Sequence, residues 1–218
     1  MRAILAVMGL VLSLGIFAQD MARLPDGSSL QYYFTLPDNM ESEAPLAVIM
    51  GGGPGTGRIA SSTFQTLGQE FAARGWAVST PVSPNSQSFF GTNGLLVSQL
   101  IDLLKQRPDV ADGPVLLGGI SNGGISSLEI ANRDPGAYLG VVAVPALANS
   151  SSVTNLNDFP VFLRIGSEDQ LGWAARYDAT VRALENAGAI VNAKLVDGGG
   201  HRVPIDWANL EVWLNNLK

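Results

Sequence analysis

The segment Gly119-Ile120-Ser121-Asn122-Gly123-Gly124 sets one serine between glycines two residues before and two residues after it. That G-x-S-x-G spacing belongs to a sharp turn that exposes a serine hydroxyl. Such a hydroxyl becomes a nucleophile when a neighbouring base takes its proton. The chain has a single histidine, His201, in Val196-Asp197-Gly198-Gly199-Gly200-His201. If an imidazole activates Ser121, it is that of His201. A carboxylate must then hold the imidazole in the productive tautomer. Asp169, in Gly166-Ser167-Glu168-Asp169, is preferred, with Glu168 its nearest rival. Asp197 is disfavoured because it sits four residues from His201 in the same loop. Acyl transfer also needs donors for an oxyanion. Met50-Gly51-Gly52-Gly53-Pro54-Gly55-Thr56-Gly57 offers backbone N–H groups free of side-chain obstruction, from Gly52 or Gly53. The N–H of Asn122, next to the nucleophile, is the second expected donor.

Composition removes competing chemistries. With no Cys there is no thiol nucleophile, disulfide or zinc–thiolate site, and one His cannot build a multi-histidine metal cluster. The sequence calls for no metal and no cofactor. A net charge of -6 and a pI near 4.7 speak against binding nucleic acid. The 51–57 segment lacks the Gly-Lys-Ser/Thr of a phosphate cradle, and its glycines lack the full dinucleotide-binding spacing. Charged residues make up 15% and apolar residues 46%, which suits a single domain with a substantial core.

These groups need a scaffold that brings distant loops together. Apolar runs predict strands over residues 31–35, 46–50, 76–80, 115–117, 139–144, 161–165 and 190–196. Helical spacing predicts helices over 64–73, 95–104, 125–131, 174–187 and 206–217. Strands alternating with helices imply an α/β fold with a mostly parallel central sheet and helices on both faces. Such sheets carry their sites at the carboxyl ends of the strands. The 51–57 loop, Ser121, Asp169 and His201 each follow a strand.

On these elements the chain resembles the α/β-hydrolase superfamily over residues 30–218. Ser121-Asn122-Gly123-Gly124 together with Gly199-Gly200-His201 is similar to secreted esterases of the polyhydroxybutyrate-depolymerase, feruloyl-esterase and dienelactone-hydrolase-like groups. The glycine loop resembles the HGGPG of proline iminopeptidases, but Met50 or Gly51 stands where that family has His. This departure speaks against a peptidase and leaves the backbone donors intact. Many relatives insert a cap after the sixth strand, and residues 144–161 are too few for one. The resemblance implies a serine esterase without a cap domain.

Residues 1–18 have a basic start, an apolar stretch and a small residue, Ala18, before polar Gln19 and Asp20. This layout predicts a signal peptide, followed by one domain over 19–218 in a bacterial periplasm or the exterior. The 15-residue apolar stretch is shorter than the roughly 20 residues of a spanning helix, so no stable membrane insertion is expected after cleavage. The expected substrate is a small-molecule or accessible polymeric ester. Phe89, Phe90 and Trp173 are candidate pocket residues. The alternatives are a serine peptidase of the prolyl-oligopeptidase type and a non-catalytic binding protein on a hydrolase fold.

Overall fold

The computed structural model describes residues 19–217. The expected leader, residues 1–18, lies outside the described residues. The strands are β1 (Gln19–Arg23), β2 (Ser29–Thr35), β3 (Leu46–Met50), β4 (Ala77–Pro81), β5 (Val115–Gly119), β6 (Tyr138–Ala143), β7 (Pro160–Gly166) and β8 (Ile190–Val196). They form one sheet in the order β1-β2-β4-β3-β5-β6-β7-β8. The pairs β1–β2 and β2–β4 are antiparallel, and every other neighbouring pair is parallel.

The central strands are apolar on both faces because helices cover both. Residues along a strand alternate between faces. Leu46, Val48 and Met50 of β3 join one core with Leu117, Val141, Leu163, Leu100 and Leu128. Ala47 and Ile49 join the opposite core with Phe64, Phe71, Leu116, Phe162 and Leu214. The first core is closed by α3 (Thr92–Leu104), α4 (Asn122–Arg133) and α5 (Tyr177–Asn186). The second is closed by the segment that follows α1 (Gly57–Thr63), through Phe64 and Leu67, by α2 (Gln69–Ala72) and by α6 (Trp207–Asn215).

Most elements differ from the sequence expectation by at most three residues at an end, and three differ in kind. The expected helix over 64–73 begins earlier, at Gly57, and contains a π-helical turn over Phe64–Gly68 between α1 and α2. Its first turns hold Ser61, Ser62 and Thr63, whose weak helix propensity and polarity hide them from a hydrophobic-period reading. The expected helix over 174–187 starts as a 3-10 turn, Trp173–Arg176, before α5. Strand β1 was not expected. Only Ala22 of its five residues is buried, so the edge strand has almost no apolar signature and is held by its backbone pairing to β2.

The topology fixes where loops can meet. From β3 the chain turns to β4 on one side, whereas β5 lies on the other side of β3. The order reverses between β3 and β5, which is a switch point with a crevice at the carboxyl ends. Met50 pairs with Gly119 there, so the loop after β3 and the turn after β5 emerge side by side. Gly166 pairs with Val196 at the ends of β7 and β8, which joins the next two loops. Residues 144–159, between β6 and β7, contain turns and bends but no helix.

Candidate active site

Ser121 stands at the head of α4 with φ 58° and ψ -121°. A non-glycine residue there carries strain of about 1–3 kcal/mol, a cost met by its surroundings. The Ser121 N–H donates to Pro145 O at 2.8 Å, and Ile120 N–H donates to Met50 O at 3.1 Å. The elbow glycines are required by close approach. A Cβ on Gly119 would overlap the Gly123 carbonyl, and one on Gly123 would overlap the Met50 carbonyl. The turn thus holds the hydroxyl out at the helix N-terminus, where the dipole favours negative charge.

The structure brings Ser121, His201 and Asp169 together from three strand ends. His201 Nε2 lies 2.9 Å from Ser121 Oγ, and His201 Nδ1 lies 2.8 Å from Asp169 Oδ2. An ionised carboxylate only accepts, so Nδ1 carries the proton and Nε2 is left to accept from the serine. The Asp169 side chain is fully buried, and its Oδ1 accepts from the Leu171 N–H at 2.7 Å. Its rival carboxylates, Glu168 and Asp197, are exposed. Glu168 contributes its backbone instead, donating to Gly199 O at 2.8 Å.

The His201 loop is clamped to the end of β7. Ser167 N–H donates to Val196 O at 2.9 Å, and Gly198 N–H donates to Ser167 Oγ at 2.9 Å. Gly166 lies so close beneath that a Cβ would overlap the Gly199 and Gly200 carbonyls. Gln170 Oε1 accepts from the His201 N–H at 3.2 Å. No spacing rule in the sequence marks Gln170 for this task, since its partner is 31 residues away. Further back on β7, buried Arg164 donates to Asn192 Oδ1 at 2.9 Å and Asn209 Oδ1 at 2.6 Å, tying β7 to β8 and α6. Burial lowers its pKa to about 10, so it remains a cation at neutral pH.

Among the described residues, the N–H groups of Gly52, Gly53 and Asn122 have no acceptor. The glycine loop runs against the elbow, and a Cβ on Gly52 would stand 3.2 Å from Ser121 Cβ. Peptide orientation separates the two glycine donors. The Gly51 carbonyl faces Gly123, 2.6 Å from where a Cβ there would stand. In a trans peptide the N–H points opposite the C=O, so the Gly52 N–H is directed away from the elbow. The Gly52 carbonyl is turned inward to accept from Gly55 N–H at 3.1 Å, which directs the Gly53 N–H out of the loop. This geometry favours Gly53. Asn122 Nδ2 donates to Gly53 O at 3.2 Å.

The expected pocket residues separate. Phe89 has no accessible surface and packs under Gly55, so it is a support of the glycine loop and not a substrate contact. A large apolar residue in a long loop fits either place, and only the packing distinguishes them. Phe90 is exposed in the same loop. Trp173 meets the His201 ring edge-on, with ring centroids 4.8 Å apart. A buried polar network was not anticipated. Asn93 Nδ2 donates to Ser88 O at 2.7 Å and Asn85 Oδ1 at 2.8 Å, while the Ser88 N–H donates to Pro54 O at 3.1 Å. Asparagine in a helix start carries no sequence signal for that role.

Among the described residues no group of three or more His, Asp or Glu side chains could hold a metal ion, and no helix is long and apolar enough to cross a membrane.

No protein-family model and no curated protein matches the sequence. Among solved structures, a thermostable esterase aligns with a TM-score of 0.70 at 16% identity, over 92% of this chain and 62% of that one. A ferulic acid esterase aligns with a TM-score of 0.65 at 16% identity, over 91% of this chain and 94% of that one. Dipeptidyl peptidase 4 from Porphyromonas gingivalis aligns with a TM-score of 0.69 at 13% identity, over 92% of this chain and 34% of that one. The chain thus spans less than two thirds of the thermostable esterase and about a third of the peptidase. At these identities the likeness is one of architecture, and the chain has the α/β-hydrolase fold.

Proposed function

We propose that this protein is a serine hydrolase that cleaves carboxylic esters through an acyl-enzyme intermediate. The observation that carries the reading is the continuous hydrogen-bonded chain from Asp169 through His201 to Ser121. Ser121 Oγ attacks the ester carbonyl while His201 Nε2 takes its proton. Asp169 holds the imidazole tautomer and stabilises the imidazolium that forms. The carbonyl oxygen, now negative, accepts from the N–H groups of Asn122 and Gly53. The imidazolium returns its proton to the leaving alkoxide, and the alcohol departs. Water then enters, gives a proton to His201 and attacks the acyl group. Collapse releases the acid and restores Ser121.

Esterases among the structural neighbours support the ester reading, and a peptidase shares the same fold. The turn-built segment over 144–159 favours an open site that takes a small-molecule or accessible polymeric ester. The leader-like residues 1–18 support export to a bacterial periplasm or the exterior. The test is a panel of short p-nitrophenyl esters beside matched peptidyl anilides, run with the wild-type and Ser121→Ala proteins. Wild type is expected to cleave the esters and react with a fluorophosphonate. Ser121→Ala is expected to lose about 10⁴-fold or more of the activity and all labelling. Labelling that persists in Ser121→Ala would remove the serine from this role. Faster cleavage of the anilides would make the protein a peptidase.

A further inference from the structure

We propose that the alcohol half of the substrate ester carries an apolar, ring-bearing group that rests on Trp173 and Leu171. This deepens the esterase reading and rests on it. The mechanism assigns a direction to each part of the ester. The carbonyl oxygen faces Asn122 and Gly53. The leaving oxygen must face His201 Nε2, because that nitrogen supplies its proton. The alcohol group is therefore confined to the side of the site that His201 occupies.

An aromatic ring stands on that side, beside the polar Gln170 that holds the His201 backbone. The half-buried Trp173 ring stands edge-on to the imidazole at 4.8 Å. Leu171 is 63% exposed. Of the large apolar side chains exposed among the described residues, it is the one within two residues of Ser121, Asp169 or His201. A single exposed leucine is ordinary. Here the backbone beneath it is bound to the acid of the hydrogen-bonded chain. Its N–H donates to Asp169 Oδ1 at 2.7 Å, and the following Gly172 N–H donates to Asp169 O at 3.0 Å. Gly172 then takes φ +74° and turns the chain directly into Trp173.

The turn over 169–172 therefore does two things at once. It fixes the carboxylate that orients His201, and it leads through Leu171 and Gly172 straight into Trp173, whose ring meets the imidazole. A group ordered before binding loses little freedom when the ligand arrives. A second ring can meet Trp173 with centroids about 4.5–7 Å apart. Aryl-bearing alcohols match this surface, and polar alcohols gain nothing from it.

The experiment compares acetate esters whose alcohols differ much in apolarity and little in acidity, such as 2-phenylethyl against 2-methoxyethyl acetate. Wild type is expected to favour the phenyl ester about tenfold in kcat/KM. Leu171→Ser keeps the backbone donor to Asp169. It should cut that ratio about fourfold, the transfer of roughly one methylene. Trp173→Ala should also cut the ratio, whatever it does to the absolute rate. Val212→Ser alters an exposed apolar residue on α6 and should leave the ratio unchanged. A wild-type ratio near one, or a ratio unmoved in both Leu171→Ser and Trp173→Ala, overturns the proposal. So does a change confined to a series varying only the acyl chain. Hydrolysis that survives Ser121→Ala would instead overturn the esterase reading beneath it.

Discussion

The side-chain amide of Asn122 reaches across the switch-point crevice and donates to the carbonyl of Gly53 at 3.2 Å. One residue thereby links the head of α4 to the loop after β3. Its own N–H and that of Gly53 are the two donors assigned to the oxyanion. Ser126 Oγ donates to Asn122 O at 2.7 Å and holds the other end of the linkage.

Replacing Asn122 by Leu keeps the backbone donor and the branched shape of the side chain but removes the bridge. The expected result is a fall in kcat of about tenfold, smaller than the loss of a whole oxyanion donor. KM should stay within about twofold, because the bridge matters most when charge develops on the oxygen. Steady-state kinetics beside a thermal melt provides the check. A lowered Tm with unchanged kcat would make the bridge structural only.

Asp169→Asn should lower kcat by about 10²–10⁴-fold, since an amide can support the wrong imidazole tautomer. The neighbouring Glu168→Gln should change kcat by less than about twofold, as befits an exposed carboxylate outside the hydrogen-bonded chain. Combining Asp169→Asn with His201→Ala should cost no more than His201→Ala alone, because the two residues act as a unit. A large effect of Glu168→Gln would transfer the role to that residue.

Gly166→Ala tests the support under the His201 loop. The added methyl would overlap the Gly199 and Gly200 carbonyls, so the loop must lift and carry His201 from Ser121. A displacement near 1 Å is expected to lower kcat about 10²-fold. Fluorophosphonate labelling should slow in parallel while the circular dichroism spectrum is retained.

Glu129 on α4 offers a pH-dependent prediction. Burial raises its pKa above the ordinary glutamate value, and Arg133 opposes the shift. Where the carboxyl is ionised in both the folded and unfolded chains, folding bears the cost of burying that charge. The contribution is therefore unfavourable above the folded pKa and vanishes below the unfolded value of 4.5. Glu129→Gln should raise Tm at pH 7 by at most about 2–3 °C, a small gain because the side chain is only half-buried. Below the unfolded value the difference should disappear. An equal gain at both pH values would exclude ionisation as its cause.

Much of the architecture was legible in the residue order. Strands β3 and β8 match their expected bounds: β3 is a continuous apolar run ended by glycines, and β8 is a mostly apolar run set off by Gly188 and Gly198. The edge strand β1 was invisible, since pairing with β2 stabilises it and backbone bonds leave no trace in side-chain periodicity. Ser121 could be singled out by its glycine spacing and His201 by being unique. Phe89, Phe90 and Trp173 looked equivalent in the sequence, yet one is core, one is surface and one touches His201.

What the sequence determined by itself is the inventory: one serine on a sharp turn, one imidazole, a few carboxylates and a glycine loop, each after a strand. Tertiary structure decided which carboxylate meets the imidazole, which glycine N–H is directed outward and which aromatic faces the site. The reason is geometric. Local spacing specifies a turn through sterics within a few residues. Partners 80 residues apart, as Ser121 and His201 are, meet only because strand order sets their loops at one edge of the sheet.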